Sequence, residues 1–158
     1  MWMAFMGRPI ISSISSSSVL FLVTCWYSMA FDTTAAQEAE LDRAARQLLD
    51  QLDVYDRGDY YKVKAVYDWI CANITYDHDN VDETFSHTAY AALINRTAVC
   101  EGYALLMYRL LLTLGVDNRL IASVDHGYNI IQLGDLYYYG DTTWDAGSSP
   151  SQYRYFLQ

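Results

Sequence analysis

Residues 101–114 carry the pattern that most constrains how this chain can fold. The run is apolar on nearly every side of a helix, at Leu105, Leu106, Met107, Leu110, Leu111, Leu112 and Leu114. A helix that is apolar nearly all round is buried on most of its sides. Gly115 follows directly and predicts the end of the helix. The sequence therefore predicts a central buried helix with the other elements packed around it.

Helical patterns precede this helix, and strand patterns follow it. The spacing of apolar residues predicts one helix within residues 33–55 and another over residues 60–74, with Gly58 as a helix stop and Asp59 as the next N-cap. After Gly115, the runs RLIASV, GYNIIQL and LYYYGDTTW are β-branched and aromatic. Gly-Asp between the last two runs is typical of a two-residue type II′ hairpin loop. Helices followed by an antiparallel sheet predict an α+β fold, and the final YFLQ predicts a further short strand.

Length and charge limit the class of protein. A chain of 158 residues with 53% apolar and 18% charged residues has the size and composition of one globular domain. The formal net charge is -9, and no run of lysines or arginines occurs. Because an acidic surface repels phosphate backbones, no nucleic-acid partner is expected.

The first thirty residues differ from the rest of the chain. They contain a single charge, Arg8, then a serine-rich stretch, then an apolar run that ends in Ser28-Met29-Ala30. This pattern predicts a secretory signal peptide cleaved after Ala30, and the apolar run is shorter than the roughly 20 residues that span a bilayer. An uncleaved membrane anchor and a misassigned start are the alternatives. We expect an extracellular or cell-envelope protein that touches a membrane only through this segment.

The predicted organisation is a signal peptide or anchor over residues 1–30, a helical segment over residues 31–58 and the core domain over residues 59–158. Removal of the signal would leave two cysteines, too few for a disulfide framework. Cys71 lies among apolar helical neighbours and is predicted to be buried. Cys100 immediately precedes the central helix, where exposed N–H groups and the helix dipole favour a thiolate. Judged by spacing alone, a structural cysteine is the alternative at this position.

The predicted hairpin sets a register between its two strands. With Gly134 and Asp135 as the loop, facing residues have numbers that sum to 269, so His126 and Asp141 become diagonal neighbours on one face. A three-residue loop would place Asp141 on the opposite face. A histidine oriented by an aspartate is half of a nucleophilic triad. A hydrogen-bonded surface pair is the alternative.

Three ordered blocks of this sequence resemble the transglutaminase-like superfamily, in particular its bacterial exported branch. The matching residues are Cys100, Gly102, Tyr103 and Ala104 in the first block, His126 and Asn129 in the second, and Asp141, Thr143, Trp144 and Asp145 in the third. Gly127 and Tyr128 stand where the family usually has alanine and tryptophan. The resemblance covers residues 59–157. Relatives continue into further strands, so either the sheet is incomplete here or the chain is truncated at its C-terminus.

The resemblance implies a papain-like arrangement with Cys100 as nucleophile, His126 as general acid and base, and Asp141 as the residue that orients the histidine. Such proteins hydrolyse or exchange amide bonds through a thioester, here on peptide, protein or cell-wall substrates. No cofactor is expected. No metal is expected either, because Asp77, His78, Asp79 and His87 lack a characteristic ligand spacing.

Four aromatic residues are candidates for substrate binding: Tyr90, Tyr103, Tyr128 and Trp144. Tyr90 is also a candidate oxyanion donor. The alternative function is a catalytically inactive binding module of the cell envelope, with Tyr103, Tyr128 and residues 137–139 as its recognition surface. The sequence leaves open the acyl acceptor, water or amine, and the oligomeric state.

Overall fold

The computed structural model describes residues 14–19, 22–27, 31–123 and 125–158. Its helices are α1 (Ala35–Leu52), α2 (Asp59–Asn73) and α3 (Cys100–Thr113). Its strands are β1 (Ile14–Val19), β2 (Leu22–Tyr27), β3 (Thr75–Tyr76), β4 (Thr97–Ala98), β5 (Asn118–Ala122), β6 (Gly127–Leu133) and β7 (Leu136–Gly140). Short 3₁₀ turns lie at Thr84–His87 and Pro150–Gln152, and a π-helical turn lies at Ala91–Asn95. The fold is therefore α+β, as the sequence predicts.

The core is built around α3. The non-aromatic apolar residues of α3 with no exposed surface are Leu106, Met107, Leu110 and Leu111, and they pack with equally buried aliphatic residues of α1 and α2, namely Leu41, Leu49, Val63, Val66 and Ile70. Full burial of one such side chain stabilises a fold by about 1.5–3 kcal/mol. Leu112 is the exception on α3, since 53% of it is exposed. The prediction of a central buried helix is correct.

The ends of the helices follow local chemistry. At the start of α1, the Thr34 hydroxyl accepts a hydrogen bond from the Gln37 amide, and the Gln37 side chain accepts one from the Thr34 amide. This helix ends at Leu52, where Asp53 takes a left-handed conformation with φ 51°. Gly58 is then the N-cap of α2. The prediction of Gly58 as the stop of the first helix and Asp59 as an N-cap is therefore wrong by a few residues, because Asp53 ends that helix earlier.

One buried cation joins α1 to α3. Arg109 is 4% exposed, and its guanidinium donates to Glu38 at 2.7 Å and to Asp42 at 2.5 Å. Both carboxylates lie on α1, and both are partly exposed. The two helices are thus held together by an ion pair as well as by apolar contacts.

The sheet has the order β5-β6-β7, and both pairs are antiparallel. Leu133 faces Leu136 and Asn129 faces Gly140, which is the predicted register. Gly134 has φ +62°, as the first loop residue of a type II′ turn requires. The C-terminal residues are not a formal strand. However, Gln158 exchanges two backbone hydrogen bonds of 2.9 Å with Tyr139, so the end of the chain pairs with the outer edge of β7.

The N-terminal segment is described only in its two antiparallel strands, β1 and β2. The predicted cleavage site after Ala30 lies outside the described residues. Among the helices that the structure describes, none is both long and apolar enough to cross a membrane. The signal-peptide hypothesis stays a prediction.

Candidate active site

Cys100 is the first residue of α3 and is half-buried. The chain reaches it through β4, which runs parallel to β3 and delivers residues 97–98 directly into the helix. The N-cap, Val99, offers no side chain to the first N–H groups of the helix. The thiol therefore lies at a helix N-terminus whose first N–H groups receive no hydrogen bond from the N-cap side chain.

Gly102 explains how the first turn of α3 reaches this position. A Cβ atom at Gly102 would lie 2.8 Å from the Ala98 Cβ and 2.9 Å from the Thr88 carbonyl oxygen. Atoms of a real side chain do not approach so closely, so only glycine lets the helix rest against this backbone. The glycine two residues after the cysteine is thus a packing requirement of the site.

Gly127 brings the histidine to the cysteine. A Cβ atom there would lie 3.2 Å from the Glu101 Cα, so the start of β6 runs against the first turn of α3. His126 precedes this glycine directly. Cys100 and His126 line the same cavity, which has a volume of about 400 Å³.

Asp141 is the partner of His126. The two are joined by a 2.6 Å hydrogen bond between Nε2 and Oδ2, and the Asp141 side chain has no exposed surface. The other carboxylate oxygen, Oδ1, accepts from the backbone amides of Thr143 and Trp144 at 3.0 and 3.2 Å. These fixed donors orient the carboxylate toward the histidine. Nδ1 of the imidazole is then the nitrogen left for exchange with a thiol.

His126 and four aromatic side chains form a closed cycle of ring contacts next to Asp141. Centroid distances are 6.3 Å from His126 to Tyr128, 4.8 Å from Tyr128 to Tyr139, 6.4 Å from Tyr139 to Tyr155, 6.2 Å from Tyr155 to Trp144 and 5.6 Å from Trp144 back to His126. Burial by these rings shields Asp141 from water and strengthens its interaction with the imidazole.

A second cavity of about 610 Å³ adjoins the first. Tyr76, Asp125 and His126 line both, so together they form one cleft that crosses the site. The larger part is mainly apolar, with Ile74, Trp144 and Ala146 among its walls. The cleft has the size and the mixed lining of a small-ligand or peptide site.

Tyr76 lies where the two parts of the cleft meet. Burial, and after it the electrostatic effect of Cys100, raise the pKa of Tyr76. The phenol consequently stays neutral and keeps its proton to donate. The sequence contains no signal for this role, because β3 and β4 are two-residue strands brought together by long-range packing.

The loop that contains Val81 and His87 borders the Cys100 side of the cleft, and hydrogen bonds of His87 hold it in place. His87 Nδ1 lies 3.0 Å from the Glu101 carboxylate, and its Nε2 lies 2.9 Å from the Val81 carbonyl oxygen. Asp77, by contrast, is turned to Ser86 and Asn80, whose hydrogen bonds lower its pKa. Within the described part of the chain, no three His, Cys, Asp or Glu side chains converge as a metal site would need.

The four aromatic candidates have different positions. Trp144 is 62% exposed and lines the larger cavity. Tyr128 stacks on the His126 ring at an interplanar angle of 25° but lines neither cavity. Tyr103 is fully buried, with its hydroxyl donating to the Ile74 carbonyl, so its surface is not available to a substrate.

Tyr90 lies away from the cleft. Its hydroxyl donates to Glu40 at 2.7 Å, and it lines neither cavity. The structure therefore does not bring Tyr90 to the position of an oxyanion donor, and Tyr76 occupies the place beside Cys100 instead.

The second thiol, Cys71, is a core residue as predicted. It is 1% exposed, its Sγ contacts the Thr142 carbonyl at 3.6 Å, and burial raises its pKa to about 12. It therefore stays protonated and unreactive over the range in which catalytic thiols work.

Known proteins resemble this chain at the level of sequence and fold. Kyphoscoliosis peptidase of Mus musculus is 24% identical over 131 residues, which cover 72% of this chain and 20% of that protein. A solved structure of a TGase has a TM-score of 0.61 at 14% identity, covering 84% of this chain and 44% of that one. A structure from Cytophaga hutchinsonii, described as a candidate cysteine protease, has a TM-score of 0.52 at 20% identity, covering 71% and 43%.

These similarities extend over part of each relative. The chain spans about a fifth of the curated relative and less than half of either solved chain. A family model described as the transglutaminase-like superfamily matches residues 46–147, which include Cys100, His126 and Asp141. Since this match covers well over half of the sequence, the chain belongs to the transglutaminase-like superfamily.

Proposed function

We propose that this protein breaks or exchanges amide bonds through a thioester on Cys100, with His126 as general acid and base and Asp141 as the residue that orients the imidazole. One observation carries the proposal. A histidine held at 2.6 Å by a fully buried carboxylate shares a cavity with a thiol at a helix N-terminus. A structural cysteine has no need of such a neighbour. The papain-like fold of the family and a relative described as a peptidase support the same chemistry.

In the proposed reaction, His126 takes the proton of the Cys100 thiol, and the thiolate attacks the carbonyl carbon of a peptide or isopeptide bond. The tetrahedral intermediate then collapses. The bond from carbon to nitrogen breaks, the amine leaves with the proton held by His126, and a thioester remains on Cys100. His126 next activates water or an amine, which attacks the thioester and releases the thiol.

Two donors are suited to the oxyanion that forms during the attack. One is the backbone amide of Cys100 at the first position of α3, and the other is the hydroxyl of Tyr76. Preorganised donors of this kind typically contribute 10²–10³-fold to kcat. On this proposal Tyr76→Phe lowers kcat by about that factor and leaves the fold intact.

We favour water over an amine as acceptor. Exclusion of water from a thioester requires a deep, closed approach, whereas the cleft here is bounded by an exposed Trp144. Substrates are proposed to be peptides, proteins or cell-wall peptides, because the cleft combines an apolar part with a polar part that bears Asp82, Glu101 and Asp125.

We further propose that the protein is exported and belongs to the bacterial exported branch of the family. The composition of residues 1–30 supports this proposal. Expression of the full sequence in a bacterial host, followed by N-terminal sequencing of the exported protein, tests it. A mature chain that begins at Phe31 is the expected result, and retention in the cytoplasm with Met1 still present contradicts it.

Peptide cleavage tests the central proposal. The protein is incubated with a diverse peptide pool, with and without a fluorescent primary amine, and products are identified by mass spectrometry beside Cys100→Ser as control. Cleaved peptides indicate hydrolysis, and amine-labelled peptides indicate acyl transfer. The competing function is an inactive binding module, which the exposure of Trp144 favours. Peptides that bind but never react, with equal affinity for the Cys100→Ser variant, would establish that alternative.

A further inference from the structure

Tyr139 donates its hydroxyl hydrogen to Asp141 Oδ2 at 2.7 Å. This is the same oxygen that His126 Nε2 contacts at 2.6 Å. With the two backbone amides on Oδ1, all of the roughly four acceptor positions of the carboxylate are filled. The imidazole therefore shares the charge of Oδ2 with a phenol.

We infer that Tyr139 is a positioning residue that sets the strength of the hydrogen bond between Asp141 and His126. This inference rests on the proposed function, since it concerns the imidazole that exchanges a proton with Cys100. Because the phenol donates a hydrogen bond to Oδ2, it reduces the negative charge that this oxygen presents to the imidazolium. It also fixes the orientation of the carboxylate, because both oxygens already accept two hydrogen bonds and rotation would break them.

The surroundings of Tyr139 hold it in this role. Its ring packs between Tyr128 and Tyr155, its backbone exchanges two hydrogen bonds with Gln158, and across the sheet it lies opposite Ile130 of β6. Burial and the hydrogen bond to Asp141 hold the pKa of Tyr139 well above its ordinary value. The phenol thus remains a neutral donor at every pH at which the thiol and the imidazole titrate.

The test is the pH profile of Cys100 alkylation in Tyr139→Phe. This variant keeps the ring and loses only the donor. The full charge of Oδ2 then faces His126, so the imidazolium keeps its proton to higher pH. The step of interest is the part of the alkylation profile that disappears in His126→Ala. We expect it to move upward by about half a pH unit to one pH unit. A hydrogen bond to a charged group is worth about one pKa unit or more, and only part of its free energy is transmitted to the imidazole.

Other titratable groups stay constant in this comparison. Those that line the cleft around His126 are Cys100 and Glu101 of α3, Tyr76, His78, Asp82 and His87 of the segment after α2, and Asp125 before β6. Two further tyrosines contact this region through their rings: Tyr128 contacts the imidazole, and Tyr155 contacts Tyr139. Tyr61→Phe is the matched control, because Tyr61 lies on α2, is 66% exposed and lines neither part of the cleft. Its profile should equal that of the wild type.

A third protein, with 3-fluorotyrosine at position 139, separates positioning from structure. Fluorination makes the phenol a stronger donor of almost unchanged size, so the step should move to lower pH, opposite to Tyr139→Phe. A merely structural tyrosine would change the melting temperature and leave the step in place. Profiles of both Tyr139 proteins that superimpose on the wild type, or that move in one direction together, overturn the inference. If His126→Ala in the same series leaves the wild-type profile unchanged, the proposed function itself fails.

Discussion

Replacement of Asp141 by asparagine should reverse the direction of the hydrogen bond to His126. The backbone amides of Thr143 and Trp144 donate to Oδ1 and cannot turn away, so the asparagine oxygen must take that place. Its NH₂ group then points at His126 Nε2. An imidazolium carries a proton on both nitrogens and would meet this NH₂ donor to donor. The pair of thiolate and imidazolium is therefore disfavoured in Asp141→Asn, and Cys100 behaves as an ordinary thiol.

The size of the effect follows from ionisation. At pH 5 an ordinary thiol with a pKa of about 8.5 is about 0.03% thiolate, whereas a histidine-paired thiol is almost fully ionised. This difference of about 3,000-fold is partly offset because a more basic thiolate is intrinsically more nucleophilic, by about 100-fold between a histidine-paired thiol of pKa about 4 and an ordinary thiol of pKa about 8.5. The alkylation rate of Cys100 at pH 5 should then fall by about 30-fold.

The assay is alkylation by iodoacetamide at pH 5, quantified at Cys100 and Cys71 separately by mass spectrometry. Asp145→Asn is the matched control, because Asp145 is also a buried carboxylate but accepts from Tyr67 and from the backbone near the C-terminus instead of from His126. It should lower stability and leave the Cys100 rate within about twofold of the wild type. An unchanged rate in Asp141→Asn, with the fold intact, would show that Asp141 does not support a thiolate at Cys100.

Three further outcomes follow from the packing. Gly102→Ala should lower the free energy of unfolding by about 1–3 kcal/mol in urea titration, because its Cβ would overlap Ala98 and outweigh the better helix propensity of alanine; an increase would contradict the packing described. Arg109→Met should cost about 1–2 kcal/mol in the same titration, since Glu38 and Asp42 lose their partner but still reach water; a variant as stable as the wild type would contradict this. Burial raises the pKa of Tyr67 and Tyr103 far above their unfolded value of about 10, so the folded chain keeps protons that the unfolded chain loses. Melting temperature should therefore be level to about pH 9 and fall steadily above about pH 10, and a rise above pH 10 would contradict the burial of these phenols.

The sequence was sufficient for the parts of the site that depend on local rules. Alternation along a hairpin with a two-residue loop determines which residues share a face, and it predicts His126 beside Asp141. The same alternation places Tyr139 on the face of Asp141, two residues away, so the hydrogen bond between them could have been predicted from the sequence. The catalytic roles of these residues stay predictions, because geometry alone does not measure reactivity.

Other parts of the site depend on packing between distant segments. Tyr76 reaches Cys100 only because β3 pairs in parallel with β4, and two-residue strands leave no periodic pattern to detect. Tyr103 follows the cysteine closely in sequence, yet the turn of α3 directs its ring into the core. Tyr90 is drawn to Glu40 of α1, a partner fifty residues earlier in the chain. Residue type and proximity in sequence were therefore poor guides to which aromatic side chains line the cleft.

The most direct test of the account is the full pH profile of Cys100 alkylation in the wild type and in His126→Ala. Cys71 serves as an internal reference, because burial raises its pKa to about 12 and it should not react below pH 9. We expect wild-type Cys100 to react well below pH 7 and this reactivity to disappear in His126→Ala. If Cys100 is inert, or if it titrates as an ordinary thiol in both proteins, the pairing of Cys100 with His126 is contradicted, and the binding-module function takes its place.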